Sequence, residues 1–268
     1  GESLGVENAT TKIGIREVCP INAIRGTLPE LLMGRDRVYV TLGEYPDFDQ
    51  MLLSVINDIR LIESGGASSP ETLVSFKKIL HEQRLYKSNS EIDLMQRAVD
   101  ITTKAHLRAF DRCKPGISET QLEAELIYEF MRHDARFTAY PSIVGSGQNA
   151  CVMHYVRNDS ILEEGQLVLI DAGCEYRNYA SDITRTIPIN GIYSDEQKAI
   201  YEVVLEAQKR AIDSAIVGAN FNTPHEIATE VLALGLLDLG LLQGSLDKVL
   251  EYESFKRFTL HRTSHWLG

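Results

Sequence analysis

The chain has few cysteines, and none of them has a near neighbour with which to pair. Cys19, Cys113, Cys151 and Cys174 are widely spaced among 268 residues, and no Cys-x-x-Cys motif is present. A chain of this length does not need disulfide bonds to hold a core, so we expect reduced thiols. This cysteine usage predicts a cytoplasmic protein, while the opening Gly-Glu-Ser-Leu-Gly leaves organelle targeting open.

Positive charge and long apolar runs are also scarce. The chain has 27 Lys and Arg residues against 38 Asp and Glu residues, a formal net charge of −11. An acidic chain lacks overall attraction for polyanions, so neither nucleic acid nor a membrane is an expected partner. A membrane-spanning helix needs about 20 apolar residues. The longest candidate, residues 231–242, is interrupted by Gly235, Asp238 and Gly240.

The first part of the chain predicts a small α/β domain over residues 1–75. β-branched or alternating apolar residues indicate strands, apolar residues at helical spacing indicate helices, and Gly, Ser and Pro indicate a linker. These patterns predict strands over residues 12–18 and 37–42, a helix capped by Thr27, a helix over residues 48–62, and a linker over residues 63–70.

Residues 76–268 are organised as a repeat of two helix pairs. Three helices begin with a capping box, in which Ser is followed three residues later by Glu or Gln. The boxes start at Ser88, Ser118 and Ser194, and Thr223 with Pro224 opens a fourth helix. The halves are offset by about 102 residues, which places the strands of the second half at about residues 239–291. We therefore expect the second half-sheet to be incomplete in this chain.

Two carboxylates lie at the ends of predicted strands. Asp171 follows the apolar run 167–170, and Asp182 precedes the β-branched run 183–187. A hairpin between them would bring both into one pocket, where they repel each other unless one is protonated or a cation lies between them. Carboxylates favour Mg, Mn or Ca, and added imidazole shifts the preference toward Mn, Fe, Co or Zn. Spacing alone does not separate this pair from ordinary aspartates in turns.

Three histidines are candidates to join the carboxylates. His261 and His265 lie four residues apart, but Arg262 stands where the zinc-protease motif His-Glu-x-x-His has Glu. His154 follows an apolar stretch that comes after a Gly-Ser-Gly segment. Taken singly, each histidine is at least as well explained by packing. A site between the two halves of the repeat would draw on all of them, because pockets commonly form at such interfaces.

A series of ordered motifs over about residues 81–268 resembles aminopeptidase P, the family of Xaa-Pro aminopeptidases with a duplicated pita-bread fold. The resemblance implies an α+β fold, in which a pita-bread catalytic domain over residues 76–268, incomplete at its C-terminus, follows the small α/β domain. The motifs are Ile-Val-Gly-Ser-Gly at 143–147, His-Tyr at 154–155, Leu-Ile-Asp-Ala-Gly-Cys-Glu-Tyr at 169–176, Asp-Ile-Thr-Arg-Thr at 182–186 and Ser-His-Trp-Leu-Gly at 264–268.

The resemblance implies a centre of two divalent metal ions, typically Mn(2+), with Zn, Co or Fe as alternatives. Asp171 matches the bidentate ligand, Asp182 the carboxylate that bridges both metals, and His265 the imidazole ligand. His154 and His261 match histidines near the substrate and the metal-bound solvent, and are implied to be catalytic. The implied reaction hydrolyses the bond between an N-terminal residue and a following proline. The implied partners are a peptide with proline in its second position and further copies of the chain in a homo-oligomer.

Two further ligands of the family, both glutamates, would fall beyond Gly268, and so would a third histidine. This chain supplies three of five metal ligands, so we expect it, on its own, neither to retain two metals nor to cleave Xaa-Pro peptides. A prolidase-like dipeptidase and a methionine aminopeptidase of the same fold are alternatives. A separate N-terminal domain disfavours the methionine enzyme, and the density of matching motifs favours aminopeptidase P over prolidase. A metal-free pita-bread module that binds peptides or proteins is a further alternative, disfavoured by the retained aspartates and histidine.

Overall fold

The computed structural model describes residues 4–62 and 68–267. The chain divides into two compact units, and the division lies between Tyr86 and Lys87. It comes eleven residues after the boundary expected at residue 75, because a helix over Phe76–Leu85 contacts the first strand of the first unit. Within the described part of the chain, no helix is both long and apolar enough to cross a membrane.

The first unit is built around two parallel strands joined through a helix. The strands pair in register from Arg37 opposite Thr72 to Val40 opposite Ser75. The connecting helix begins with a proline, whose fixed φ suits the first helical position, and it buries Leu52, Val55, Ile56 and Ile59. The elements are α1 (Gly5–Ile13), a 3-10 turn (Ile21–Ala23), α2 (Ile24–Leu32), β1 (Arg37–Val40), α3 (Pro46–Leu61), β2 (Thr72–Ser75) and α4 (Phe76–Leu85).

Two local predictions for this unit are wrong. Residues 12–18 do not form a strand, because Ile13 ends α1 and the alternating Ile13 and Ile15 are both exposed, so there is no face to bury. Thr27 lies inside α2 and donates its hydroxyl to the carbonyl of Ala23 at 3.1 Å. The helix therefore begins before Thr27 and is not capped by it. Most of the predicted linker, residues 63–67, lies outside the described residues.

The second unit begins with a helix pair packed on strands. Its helices α5 and α6 are capped by Ser88 and Ser118, whose capping boxes form as predicted. The elements are α5 (Asn89–Arg112), α6 (Glu119–Arg132), β3 (Phe137–Thr138), β4 (Ile143–Ser146), a 3-10 turn (Gly147–Cys151), β5 (Leu167–Ala172), β6 (Cys174–Tyr176), β7 (Tyr179–Ala180), β8 (Ile183–Pro188), α7 (Asp195–Ser214), α8 (Thr223–Asp238), α9 (Leu246–Glu251) and a 3-10 turn (Ser254–Arg257).

The strands of this unit form two antiparallel sheets of three, in the orders β4-β5-β8 and β3-β6-β7. Alternate residues of β5, namely Val168, Ile170 and Ala172, are completely buried. They pack in one core with buried residues of α5 and α6, which include Ile101 and Phe130. Period-two alternation on a strand and helical spacing on the helices thus meet in a single hydrophobic core. This core is the base on which the candidate site stands.

The second helix pair is followed by helical structure and not by strands. Strands were expected from about residue 239, yet the described residues there form α9 and a 3-10 turn. Val249 and Phe255 are buried in a cluster with Leu236 and Leu242, so the segment gains burial against α8 as a short helix. That packing explains the difference from the repeat-based prediction. Helix α7 keeps its predicted capping box at Ser194, and α8 begins at Thr223 with Asn222 as its N-cap.

Candidate active site

Asp171 and Asp182 are brought together by the backbone of a tight hairpin. Asp171 lies on β5 opposite Thr184 of β8, and Asp182 directly precedes β8. Between the two aspartates the chain passes through β6 and β7, which pair with each other. A Cβ at Gly173 would lie 1.7 Å from the carbonyl oxygen of Ser181, so only glycine allows this close approach of the backbone.

A buried polar cluster ties the hairpin to α5. The hydroxyls of Thr102 and Ser181 lie 2.7 Å apart, and the backbone N–H of Cys174 donates to both, at 3.1 and 3.0 Å. The Cys174 thiol donates to the carbonyl of Ala98 at 3.4 Å. Buried polar groups that satisfy one another favour one arrangement of the backbone. The two carboxylates therefore rise from a rigid base, which is the setting that a metal or catalytic site needs.

Tyr140 joins the two carboxylates and was not identified by sequence reasoning. Its hydroxyl lies 2.6 Å from Oδ1 of Asp171 and 3.0 Å from Oδ1 of Asp182. A hydroxyl has one proton and donates to only one of them at a time. Burial first, then the hydrogen bond and charge of Asp171 and the charge of Asp182, raise the pKa of Tyr140 far above its ordinary value. The neutral hydroxyl is therefore the form present beside the aspartates.

The sequence held one indirect signal for Tyr140. It lies in a coil three residues before Ile143, the residue of β4 that pairs with Asp171 in the sheet. If that strand pairing had been deduced, the coil before β4 would have been expected at the same end of the sheet as the carboxylate. Tyrosine in a coil before a proline has no signature of its own, so the composition of the segment could not reveal it.

His265 reaches the same pair from the end of the chain. Its Nε2 lies 2.8 Å from Oδ2 of Asp182, and its Nδ1 lies 2.9 Å from the carbonyl oxygen of Trp266. When Nδ1 donates to that carbonyl, a neutral ring presents the Nε2 lone pair toward the carboxylate. The Trp266 carbonyl and then Asp182 raise the pKa of His265, because only the protonated ring donates to both oxygens.

The other two predicted histidines are placed differently. His154 lies between the 3-10 turn and β5, is exposed, and has a φ of 54°, in the left-handed region. His261 is also exposed, and its Nδ1 lies 2.9 Å from the carbonyl oxygen of Arg262. Among the described residues, neither imidazole is hydrogen-bonded to Asp171 or Asp182. The structure therefore places Tyr140 against both Asp171 and Asp182, and His265 against Asp182. The ligand and catalytic roles of the five predicted residues stay predictions.

The donor chemistry of this group fits a divalent cation. Two carboxylates face a single hydroxyl, and an imidazole is held through its second nitrogen by a backbone carbonyl, as metal-ligating histidines usually are. Within residues 4–62 and 68–267, however, no three His, Cys, Asp or Glu side chains are arranged to hold a metal ion together. Asp171, Asp182 and His265 thus have the right ligand types without forming a closed set of three.

Comparison with protein families identifies the class of metallopeptidase to which these residues belong. Residues 93–268, which carry all of the predicted site residues, match the family model described as metallopeptidase family M24. The chain belongs to metallopeptidase family M24.

The chain is similar over its whole length to two bacterial Xaa-Pro aminopeptidases. The Xaa-Pro aminopeptidases of Escherichia coli (strain K12) and Haemophilus influenzae are each 39% identical to this chain over 268 residues, which is 100% of the chain. The matched region is 61% of the length of the first relative and 60% of the second. The chain therefore spans about three fifths of the length of these two relatives.

Solved structures support the same assignment. Aminopeptidase PepP of Pseudomonas aeruginosa superposes with a TM-score of 0.96 at 48% identity, covering 99% of this chain and 60% of that one. A variant of Escherichia coli aminopeptidase P, solved in complex with substrate, gives 0.96 at 39% identity and covers 100% of this chain and 61% of that one. These matches confirm the resemblance to aminopeptidase P and the predicted fold class, an α+β pita-bread domain preceded by a small α/β domain.

Proposed function

We propose that the protein containing this chain is an Xaa-Pro aminopeptidase, which hydrolyses the bond between an N-terminal residue and a following proline. The observation that carries the proposal is a series of contacts: the Tyr140 hydroxyl lies 2.6 and 3.0 Å from Asp171 and Asp182, and Nε2 of His265 lies 2.8 Å from Asp182. Membership of family M24 and the printed names of the relatives support the reaction class. The proposed cofactors are two divalent metal ions, most simply Mn(2+); one related structure of aminopeptidase P is described as zinc-substituted.

In this proposal Asp171, Asp182 and His265 would hold the metal ions. Two divalent cations, when bound, supply a water of lowered pKa and polarise the scissile carbonyl. Other groups of the chain would orient these three ligand residues. The Tyr140 hydroxyl keeps the two carboxylates aimed at one point, and the Trp266 carbonyl holds the Nδ1 proton of His265, so that Nε2 is left as the ligand atom.

The stacked side chains of Phe221 and Trp266 support this placement of His265. Their ring centroids lie 4.7 Å apart, so the residue that follows His265 is packed against the segment that precedes α8. Stacking of this kind contributes about 0.5–1.5 kcal/mol beyond area burial. We propose that His154 and His261 act nearer the peptide, where an exposed imidazole can stabilise the developing oxyanion or transfer a proton.

The decisive experiment uses the protein translated from the complete reading frame, loaded with Mn(2+). Cleavage of an Xaa-Pro peptide of three or more residues is expected, with little cleavage when alanine replaces proline. The change Asp182→Asn is expected to lower metal affinity by more than about a hundredfold, since it alters a ligand directly. Asp213→Asn, an exposed aspartate of α7, is the matched control and should leave binding and cleavage unchanged. Wild-type inactivity toward all Xaa-Pro peptides would contradict the proposal.

The prolidase-like alternative is separated by substrate length. An Xaa-Pro aminopeptidase should prefer a longer Xaa-Pro peptide, whereas a prolidase-like enzyme should prefer the Xaa-Pro dipeptide. A peptide-binding module should bind such peptides without cleaving them and without dependence on metal. A comparison of kcat/KM for the two substrates, with binding measured after chelation, assigns the protein to one of the three classes.

We further propose that the 268-residue chain by itself neither retains two metal ions nor cleaves Xaa-Pro peptides. Two carboxylates bring only two negative charges to two divalent cations, which weakens binding. Metal analysis after gel filtration, together with a peptide assay on the same sample, tests it; two tightly held ions or clear turnover would show the proposal to be wrong.

The partners of the protein are proposed on the same resemblance, and its location on the few, widely spaced cysteines. We propose a peptide substrate with proline in second position, a homo-oligomer, and a cytoplasmic location. The names of the Xaa-Pro aminopeptidase relatives and the Escherichia coli structure solved with substrate support a peptide as the partner. Light scattering on the protein from the complete reading frame measures its oligomeric state, and a monomer at micromolar concentration would contradict that part of the proposal.

A further inference from the structure

Glu119 is a completely buried carboxylate for which the proposed reaction has so far given no role. It is the first residue of α6 and is 0% exposed. Its Oε1 accepts hydrogen bonds from the backbone N–H of Ser146 at 2.7 Å, the hydroxyl of Ser146 at 2.7 Å and Nδ2 of Asn149 at 3.1 Å. Its Oε2 accepts from the hydroxyl of Tyr155 at 2.8 Å and the backbone N–H of Ser160 at 3.0 Å.

All five donors belong to one segment of the chain. We call residues 146–160 the His154 loop, because the proposed catalytic His154 lies within it. The donors come from its first residue, its 3-10 turn, the residue after His154, and its last residue. A carboxylate offers about four lone-pair sites, so five donors saturate it. Glu119 therefore fastens the loop at both ends and directly beside His154.

Asn158 provides a second attachment of the same loop. It is buried, and its φ of 49° places it in the left-handed region that asparagine tolerates. Its Oδ1 accepts from the backbone N–H of Val144 at 2.9 Å, and its Nδ2 donates to the carbonyl of Ser142 at 2.9 Å and to Glu123 of α6 at 2.9 Å. Asn158 thus ties the loop to α6 through Glu123 and to residues 142–144 through the backbone. At the end of the loop the backbone N–H of Glu119 also donates to the carbonyl of Ser160 at 2.8 Å.

The carboxylate is charged, and neutral donors hold it. Burial alone would raise the pKa of Glu119, but the hydrogen bonds from Asn149, Ser146 and Ser160 outweigh burial and keep the pKa below its ordinary value. Among the described residues, no Lys, Arg or His forms an ion pair with it. A buried charge is costly unless its hydrogen bonds are satisfied, and bonds to an ionised acceptor are stronger than neutral ones.

The hydrogen bonds of Glu119 are not needed to start its helix. Ser118 and Gln121 already form the capping box of α6, in which each side chain bonds to the other residue's backbone N–H. Leu122, Leu126 and Phe130 fill the core beneath the helix. Helix initiation and core packing are provided by other residues, so the side chain of Glu119 serves the loop.

We propose that Glu119 is a positioning residue that holds the His154 loop against α6 and so sets the place from which His154 meets the substrate. The part concerning substrate rests on the proposed Xaa-Pro aminopeptidase function. The direction of the His154 side chain depends on its left-handed backbone. Glu119 holds the segments on both sides of that residue, through Asn149 of the 3-10 turn and through Tyr155. Loss of the carboxylate would free the backbone of the loop and displace His154. Glu119 itself does not touch the substrate, so its effect on the reaction passes through the position of His154.

The first test measures the loop without using activity. Glu119→Gln keeps the size of the side chain but leaves one oxygen as acceptor and turns an NH2 group toward donors on the other side. Hydrogen exchange, measured by mass spectrometry on the metal-loaded protein from the complete reading frame, is expected to become about tenfold faster across residues 146–160. Glu125→Gln is the control, since Glu125 lies on α6 and pairs with Arg108 at 2.6 Å. Unchanged exchange in Glu119→Gln would overturn the proposal.

The second test measures kcat and KM on an Xaa-Pro peptide. Glu119→Gln is expected to lower kcat by about tenfold or more while KM changes by less than about threefold, because misplacing a catalytic group weakens transition-state contacts more than substrate binding. Glu125→Gln should retain both constants. Faster loop exchange with an unchanged kcat would show that Glu119 only supports the fold, and would overturn its role through His154.

The two proposals fail in different ways. If wild-type protein cleaves no Xaa-Pro peptide, the proposed function fails, while the exchange measurement still decides whether Glu119 holds the loop. If Glu119→Gln does not fold, Tyr155→Phe removes a single donor from Oε2 and leaves the carboxylate in place. That variant should show faster exchange near residue 155 and a smaller fall in kcat than Glu119→Gln. Wild-type exchange and kcat in Tyr155→Phe would contradict the proposal.

Discussion

The two helix pairs of the second unit begin by the same local rule but bury their apolar residues to different extents. Helices α5 and α7 both start with a serine capping box. Helix α5, with α6, packs on strands and contributes to a large core that includes Ile101, Leu126 and Ile170. Helices α7 and α8 pack on each other, and the buried residues that they share are the small side chains of Ala207, Ala211 and Ala228.

The difference separates two steps in building a helical layer. Capping decides where a helix begins, because it satisfies backbone N–H groups that have no partner within the helix. Covering the apolar face of the helix requires a second layer of structure, such as the strands that pack against α5 and α6. Ile212 and Val204 of α7 are 65% and 51% exposed, although their spacing is that of a helix with an apolar face. The first pair has its sheet among the described residues, and the second pair does not.

The largest expected effect compares one leucine from each pair. Leu126 of α6 is 0% exposed and Leu234 of α8 is 39% exposed. Leu126→Ala should lower the free energy of unfolding by about 2–5 kcal/mol, because it leaves a cavity in a close-packed core. Leu234→Ala should cost less than about 1 kcal/mol. Urea unfolding of the two variants measures both values, and equal losses would remove the contrast between the helix pairs.

A smaller effect concerns the contact between α7 and α8. A Cβ at Gly235 would lie 2.4 and 2.6 Å from the two γ carbons of Val203, so the helices approach closely there. Gly235→Ala should destabilise the protein by about 1–3 kcal/mol through overpacking.

Gly26 of α2 is the control for this prediction, since a Cβ there meets nothing within 4 Å. Gly26→Ala should stabilise the protein by about 0.5–1 kcal/mol, because alanine loses less backbone entropy in a helix. Thermal unfolding of both variants should therefore shift in opposite directions. A stabilising Gly235→Ala would show that the second helix pair is loosely packed, and would sharpen the contrast with α5 and α6.

The smallest expected effect is the change with pH in the stability that ionised Glu119 gives to the first helix pair. The folded pKa of Glu119 lies below its ordinary value of 4.5, so the ionised form stabilises the fold. This contribution is complete above the unfolded pKa and is lost as the pH falls from about 4.5 through the lower folded pKa. Glu119→Gln should therefore be less stable than wild type at pH 7, with a difference that shrinks below pH 4.5. Urea unfolding at several pH values tests this, and parallel curves would contradict it.

The elements that sequence analysis predicted well depend on local interactions. The capping boxes at Ser88, Ser118 and Ser194 involve residues three positions apart, so they can be seen in the sequence and appear in the structure. Helix α3 was predicted from its apolar spacing alone. The strand at residues 12–18 was wrong because two alternating isoleucines do not provide a partner strand, and pairing is what stabilises a strand.

The sequence was enough to predict the two aspartates of the candidate site, but not the residues that support the site in space. The strand-like runs beside Asp171 and Asp182 suggest the pair, and the ordered motifs shared with aminopeptidase P separate it from ordinary aspartates in turns. Tyr140 contacts both carboxylates from a coil more than thirty residues away in sequence, and Glu119 lies at the start of a helix, where an acidic residue is commonly explained by the helix dipole. Neither residue type is unusual for its position, so no local signal assigns them to the site.

The sequence by itself determined where most helices of the second unit begin, which carboxylates could hold a cation, and which family the chain resembles, because these depend on short spacings and ordered motifs. The tertiary structure decided that Tyr140 joins the carboxylates, that His265 faces Asp182, and that Glu119 holds the loop around His154. Those contacts link residues that are far apart in the chain. Their distances are set by strand pairing and core packing, which only the folded backbone specifies.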